Sequence, residues 1–384
     1  MLIKNGKVFT MVEDKPLEGY DLRVKGKKIA EIGKGLKPEK NEEVIDAKGA
    51  WVLPGFIDGH THLGIHETAL GFEGDDTNEK SDPCTPQLRA IDGCNPADPA
   101  FEEARKAGIT MVMVGPGSAN VVGGTFMIIR TWGNDIDEMV IDPYSAMKCA
   151  FGENPKRVYG QAGKLPITRM GTASILRKAL TEARNYQAKK AKAAEKGEPF
   201  DLNLQYENML PVLERKVPLK AHAHRADDIL TAMRIAKEFN VKMTLDHCTE
   251  GDLIVDEIKA AKMEAYVGPT FVNPSKPEVR NKSFDTLVKL NAAGVKIAVT
   301  TDHPVIALEL LPTCAGYAHK AGMPLIEALR AITRYPAEIM GQGKSYGTLE
   351  KGKVANVTIY DDNPLSNLSR CLYTIGEGEV LYKA

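Results

Sequence analysis

Between residues 51 and 347 short apolar runs alternate with stretches whose apolar residues recur at helical spacing. The runs are Trp51–Ile57, Ile109–Gly115, Ala146–Phe151, Val217–Ala223, Val241–Leu245, Ala265–Val267 and Val295–Thr300. Helical spacing occupies Ala100–Ala107, Asp227–Phe239, Leu253–Ala261, Ser283–Ala293 and Leu325–Met340. Strand–helix alternation of this kind implies parallel βαβ units. About eight units over roughly 300 residues match a (β/α)8 barrel, typically ~250 residues plus insertions. A doubly wound sheet is the competing arrangement.

The two ends have a different texture. LIKNGKVFTM, YDLRVKGKKIAEIG and EEVIDAKGAWVLPG are short strand-like runs, and the tail YGTLEKGKVANVTIYDDNP with EGEVLYKA repeats their character. Asn5-Gly6 and Lys25-Gly26 carry hairpin-turn character, because glycine reaches positive φ without a steric penalty. Neither end alone buries much apolar area. The expected organisation is a β-sandwich domain from residues 1–50 plus 348–384 around a barrel domain of residues 51–347.

Two segments interrupt the alternation. Gly64–Pro99, rich in Gly, Asp, Asn and Pro, follows the first barrel strand and is placed to cover a site with Glu67, Asn78 and Glu79. Gly160–Asn203 contains the helix pattern LRKALTEARNYQAKKAKAAEKG, with Gly197 as C-cap. Its Lys189, Lys190, Lys192 and Lys196 read as a solvated helix face in preference to an anion site.

Composition excludes some classes. With 34 Gly and 22 Pro in 384 residues and 26% charged residues, the chain is neither collagen-like nor disordered. A net charge of −1 offers no general attraction for nucleic acid. Cys84, Cys94, Cys149, Cys248, Cys314 and Cys371 form no CxxC pair. The N-terminus has no basic-then-apolar leader and no apolar run reaches a membrane span, so a cytoplasmic protein without a membrane partner is expected; a small-molecule substrate, no nucleic-acid partner and a homo-oligomeric state are further expectations.

Chemistry concentrates at strand ends. PGFIDGHTHLG places His60 and His62 two residues apart on a strand, where both imidazoles face the same side and can meet one metal ion. Barrel active sites lie at that end of the strands. VPLKAHAHRADD adds His222 and His224, VKMTLDHCTEG adds His247, and VKIAVTTDHPV adds Asp302 and His303. SAMKCAFGENPKR brings Lys148 and Glu153. The loop GPGSANVVGG, residues 115–124, offers Ser118, Asn120 and glycine backbone to a ligand. It lacks the GK[ST] of a P-loop, and a plain connection is its other reading. His66 reads as a surface residue.

In combination these motifs resemble the amidohydrolase superfamily: metal-dependent hydrolases with a (β/α)8 barrel and a small β-sandwich built from both chain ends. Imidazolonepropionase-like and isoaspartyl dipeptidase-like members are the nearest in pattern. The resemblance implies that His60 and His62 bind one divalent metal, expected to be zinc, and that His222 and His247 bind a second. It implies that Asp302 is both a ligand and the proton-transferring residue. Lys148 is the expected bridging ligand, as a CO2-derived carbamate, with Glu153 as the alternative metal ligand. His224 becomes a substrate contact.

One departure narrows the chemistry. Ring-opening and deaminating members carry an acid three residues after the strand-end histidine, where this chain has Arg225. Arginine is no proton donor at neutral pH, but it grips a carboxylate through two bonds. Its other reading is a helix-start residue paired with Asp227 or Asp228. Arg225 and Arg157 as substrate-binding residues, with Ser118 and Asn120, point to hydrolysis of a C–N bond in a carboxylate-bearing small molecule or dipeptide. The alternatives are a deaminase or imidazolonepropionase-type ring hydrolase, and an inactive relative serving as a binding or assembly subunit.

Overall fold

In the computed structural model, which describes residues 1–384, the apolar run Trp51–Ile57 breaks at Gly55 and serves two sheets. Strands β1 (Leu2–Val8), β2 (Leu17–Lys25), β3 (Lys28–Gly33), β4 (Val44–Asp46) and β5 (Trp51–Pro54) belong to a sheet of the two chain ends. The tail completes it with β14 (Val357–Tyr360), β15 (Cys371–Gly376) and β16 (Glu379–Lys383), in the order β16-β15-β14-β5-β1-β2-β3, with β4 beside β1. Trp51–Pro54 therefore pairs antiparallel with Val357–Tyr360, and the first barrel strand starts only at Phe56. Ile3, Val8, Leu22, Val52, Val357, Ile359 and Ile375 close a separate apolar core there. Lys25 pairs with Lys28 across the expected turn at Gly26, whereas Asn5-Gly6 lies inside β1 as a bulge and not at a hairpin.

The second sheet is the barrel: β6 (Phe56–Thr61), β7 (Ile109–Val114), β8 (Val122–Arg130), β9 (Val140–Ala150), β10 (Leu219–Ala223), β11 (Met243–His247), β12 (Glu264–Val267) and β13 (Ile297–Val299). One strand departs from the parallel rule. β8 runs antiparallel to both β7 and β9, so the segment 115–124 is a loop only as far as residue 121, and Val122-Gly123-Gly124 begin a strand. A hairpin needs no crossover helix, which is why no helical stretch precedes this strand. The loop Gly64–Pro99 fills the vacated face: Thr85 N–H donates to the Val122 carbonyl at 2.8 Å and Thr125 N–H to that of Leu88 at 2.9 Å.

Helices cover the other strands. The longest, Arg169–Lys196, is capped by Thr168, whose Oγ1 accepts from Gly171 N–H at 3.0 Å, and it ends at Gly197 in the left-handed region, φ +68°. Its lysines are solvated, Lys190 meeting Glu207 at 2.6 Å. The stretch Leu325–Met340, expected as one helix, is two: Leu325–Arg330 and Arg334–Ile339. Carbonyls freed at the break take up strand donors, Val299 N–H reaching Ala331 at 2.9 Å and Ile57 N–H reaching Ile332 at 2.8 Å. No helix is long and apolar enough to cross a membrane.

The seam between β13 and β6 has one further tie. The fully buried Asp58 carboxylate accepts from Thr300 Oγ1 at 2.6 Å, Thr301 N–H at 2.9 Å, Thr301 Oγ1 at 2.6 Å and His60 N–H at 3.0 Å. Each buried donor left without a partner costs about 1–3 kcal/mol. Asp58→Ala is therefore expected to lower unfolding free energy by at least about 3 kcal/mol in urea titration of metal-free protein. Lys25→Ala, which removes the exposed 2.6 Å pair with Glu39, should change it by less than about 1 kcal/mol. Equal effects of the two changes would show that the seam does not rest on Asp58.

Candidate metal centre and active-site cleft

Strand alternation sends Asp58, His60 and His62 to one side of β6. The intervening Gly59 is required by packing: a Cβ there would sit 2.0 Å from Cε1 of the buried Tyr266. His62 Nδ1 donates to the Gly115 carbonyl at 2.6 Å, which leaves Nε2 free. Just past β13, Asp302 takes up positive φ, +53°, and one of its oxygens meets both imidazoles. Asp302 Oδ1 lies 3.2 Å from His60 Nε2 and 3.3 Å from His62 Nε2. Ligands at 2.0–2.1 Å in a tetrahedron stand about 3.3–3.4 Å apart, so this spacing is that of a ready-made half-site.

A second group gathers His222, His224 and His247, each offering a ligand atom within 4.8 Å of the others. His247 Nδ1 donates to the Gly268 carbonyl at 2.7 Å, and His224 Nδ1 meets Thr249 Oγ1 at 2.7 Å. Burial holds all three rings neutral: it pushes His247 down to about 3, and His222 and His224 well below the usual imidazole range. Neutral imidazoles keep the lone pair a cation needs. Burial alone would raise the Asp302 carboxyl, but its closeness to His60, His62 and His247 holds it well below the carboxylate range.

Under these groups lies a charged layer inside the barrel. Lys148 is 1% exposed, and Lys220 and Asp246 are fully buried. Asp246 Oδ1 pairs with Lys220 Nζ at 2.8 Å, and Oδ2 lies 3.0 Å from His60 Nδ1 and 3.5 Å from Lys148 Nζ. Burial pushes Lys220 down to about 8 against the pull of Asp246. Burial also works to raise Asp246, but Lys220, His60 and Lys148 together hold it well below its usual range.

The family model described as "Amidohydrolase family" matches residues 51–375. The chain belongs to the amidohydrolase family. The crystal structure of an amidohydrolase from Thermotoga maritima MSB8 superposes with a TM-score of 0.97 at 38% identity, over 100% of both chains. Amidohydrolase tasK of Hapsidospora irregularis is 28% identical over 84% of this chain but 35% of its own length, so the chain spans about a third of that protein. A prolidase complexed with N-methylphosphonate-L-proline shares the fold at a TM-score of 0.63 and 18% identity, covering 100% of this chain and 99% of that one.

The donor set of this amidohydrolase-family chain fits a divalent metal. His60 Nε2 and Asp302 Oδ1 are buried polar atoms without a hydrogen-bond partner, and imidazole nitrogens with a carboxylate oxygen are ordinary ligands for such an ion. His60, His62, Lys148, His222, His224, His247 and Asp302 all line one cleft of about 440 Å³. Ser118 and Arg157 line it too, as does His66, which the sequence put at the surface.

Three expected residues stay away. Glu153, at the start of the helix Glu153–Gln161, is engaged with Glu278: its N–H donates to Glu278 Oε2 at 2.8 Å and its own Oε2 accepts from Glu278 N–H at 3.2 Å. It does not line the cleft of the candidate ligands. Arg225 is exposed and forms a two-bond pair with Asp227 at 2.9 and 3.0 Å, the helix-start alternative. Asn120 is buried structurally, donating to the Glu79 carbonyl at 2.7 Å and to Thr85 Oγ1 at 2.8 Å. In the covering loop only Thr77, Asn78 and His66 reach the cleft; Glu67 binds Asn95, and Glu79 accepts from Ser81 N–H at 3.1 Å.

Other residues at the site escaped the sequence. Lys276 and Lys282 line the cleft beside Asn154, and Lys276 Nζ lies 2.6 Å from the buried Glu278 Oε1 and 3.0 Å from Asn154 Oδ1. Glu278 Oε1 is also 3.7 Å from Nε2 of both His222 and His224. Nothing in SKPEVRNK marks these positions. Lys220 and Asp246 did leave a signal: each is a charge two residues or fewer before a strand-end histidine, in a strand buried along its whole length.

Two histidines separate the centre from its surroundings. His62→Ala is expected to lose metal by elemental analysis after zinc supplementation. His303→Ala should keep it, since His303 Nδ1 accepts from Leu308 N–H at 3.2 Å and the ring does not line the cleft. Full metal content in a folded His62→Ala protein would overturn the half-site.

Proposed function

We propose that this chain hydrolyses a C–N bond, in an amide or cyclic amide of a small carboxylate-bearing molecule, with zinc as its metal. The observation behind this reading is the meeting of His60 Nε2 and His62 Nε2 at one oxygen of Asp302, at 3.2 and 3.3 Å, beside a second set of neutral imidazoles. His60, His62 and Asp302 would hold one ion, and His222 with His247 a second. When bound, the metal supplies Lewis acidity toward the scissile carbonyl and brings the pKa of its water to about 7. Lys148 is proposed as the bridging ligand: its amine nitrogen adds to the carbon of CO2 and releases a proton, which turns a group unable to bind a cation into an anionic oxygen donor.

Asp302 contacts both imidazoles through Oδ1, which leaves Oδ2 to take the proton of the attacking water and pass it to the leaving nitrogen. His224 and Ser118 face the space where the substrate would lie. Arg157 forms no ion pair and lines the cleft, so a substrate carboxylate is its natural partner. Glu278 supports a second reading, ring opening or deamination. It is a carboxylate 3.7 Å from His222 and His224 in a chain that carries Arg225 where such enzymes keep their acid. Release of ammonia from a ring substrate, or its opening without loss of nitrogen, would favour that second reading.

Two measurements test the first. Asp302→Asn should lower kcat by at least ~10²-fold at equal metal content. An unchanged kcat would send the proton elsewhere. Arg157→Met should weaken a carboxylated substrate relative to its amidated analogue by roughly 1.5–3 kcal/mol in kcat/KM. Arg225→Met should leave the ratio unchanged. Equal losses on both substrates would remove Arg157 from recognition.

A further inference from the structure

Lys220 and Asp246 are two charges at 0% exposure, and the chemistry proposed above uses neither. A buried ion pair is a poor device for stability, since replacing both partners by apolar side chains of similar volume is often neutral or stabilising. Their geometry gives another reason for their presence. Lys220 Nζ fixes Asp246 Oδ1 at 2.8 Å and sits 3.3 Å from the centroid of the Tyr266 ring. Tyr266 packs into the space left by Gly59, the residue before His60. The other Asp246 oxygen is thereby held 3.0 Å from His60 Nδ1, within reach of a hydrogen bond although the two are not aligned as one, and Nδ1 has no other partner. Parallel register places His222 beside Asp246 and Lys148 beside Lys220, so the pair is built on the strands that carry the proposed ligands.

We propose that Asp246, anchored by Lys220, is a positioning residue for the metal centre: it accepts the Nδ1 proton of His60 and so fixes the tautomer that presents Nε2 toward Asp302. A histidine ligand whose far nitrogen is held by a carboxylate is both oriented and made more basic. The same oxygen lies 3.5 Å from Lys148 Nζ, which places both proposed ligands under one carboxylate. This inference rests on the metal-centre reading.

The test is zinc affinity, measured by competition with a chromophoric chelator. Asp246→Asn is expected to bind zinc about 10- to 100-fold more weakly, a typical loss for such partners. The double variant Lys220→Met/Asp246→Leu removes both halves of the 2.8 Å pair, leaving only Lys148 without its 3.5 Å carboxylate neighbour; it is expected to fold and should show the same loss. His60→Ala serves as reference. If His60→Ala loses zinc while the folded double variant binds like wild type, the positioning role is overturned and the metal site stands. If His60→Ala binds like wild type, the metal-centre reading falls, and this inference with it. Metal-free wild-type protein labelled with ¹⁵N-histidine gives a readout without any variant, since zinc on Nε2 would itself force the proton onto Nδ1: a proton on Nδ1 of His60 supports the role, and the Nε2-protonated tautomer overturns it.

Discussion

The arrangement depends on the Asp58 carboxylate. A barrel sheet must close, and here the first and last strands are joined by side chains and a broken helix in place of a continuous ladder. Asp58 takes donors from Thr300 and Thr301 on one side and from the His60 backbone on the other. The same Thr300 hydroxyl proton is shared between Asp58 and the His60 carbonyl, 2.7 Å away, and His62 N–H reaches the His303 carbonyl at 2.8 Å. The contacts that close the barrel are thus the contacts that set His60, His62 and Asp302 against one another. Closure and the geometry of the half-site are one constraint.

The reversed strand β8 has a comparable double effect. Its Phe126 presents a ring with centroid 5.4 Å from both Lys148 Nζ and Lys220 Nζ, a face that tolerates cations where water is excluded. The hairpin also leaves the barrel wall without a helix, and Gly64–Pro99 occupies that place. Gly117 N–H donates to the Thr77 carbonyl at 2.8 Å and Ala119 N–H to Asn78 Oδ1 at 2.8 Å. The loop over the cleft is therefore stitched to the scaffold on both sides and is part of the wall.

What the sequence disclosed follows from how far each signal reaches. Histidines two apart at a strand end declare their direction, because strand alternation is local; His60, His62 and His222 were legible for that reason. The barrel was legible from alternation, but β8 was hidden by Gly123-Gly124 and by the absence of a preceding helix. Direction past a strand end was not legible. Arg225, Glu153 and Asn120 all follow a strand closely, yet each turns to a partner, Asp227, Glu278 or Tyr159, whose position depends on tertiary packing. Asp246 and Lys220 lay unnoticed because each looks like an isolated charge until the register of β10 and β11 puts them side by side.

The Glu153–Glu278 clasp then determines where recognition can occur. It ties the helix after β9 to the turn after β12 through two reciprocal backbone bonds, across the two strands that carry His222 and His247. Lys276 extends the tie to Asn154, and Asn154 Nδ2 donates to Ser118 Oγ at 2.7 Å. The result is one rigid wall from three separate loops, bearing Arg157, Lys276 and Lys282 above neutral imidazoles. Glu278 answers Lys276 at 2.6 Å, whereas Arg157 and Lys282 have no carboxylate partner. With Arg225 committed to Asp227, these two are the cations of the cleft that a substrate anion can use. Because their wall is anchored on the same strands as the ligands, an anion held there would have its scissile bond placed at a fixed distance from Asp302. Orientation of this kind can carry several kcal/mol of a reaction barrier, and under the proposed reading it would arise from a contact between two glutamates, neither of which needs to touch the reacting bond.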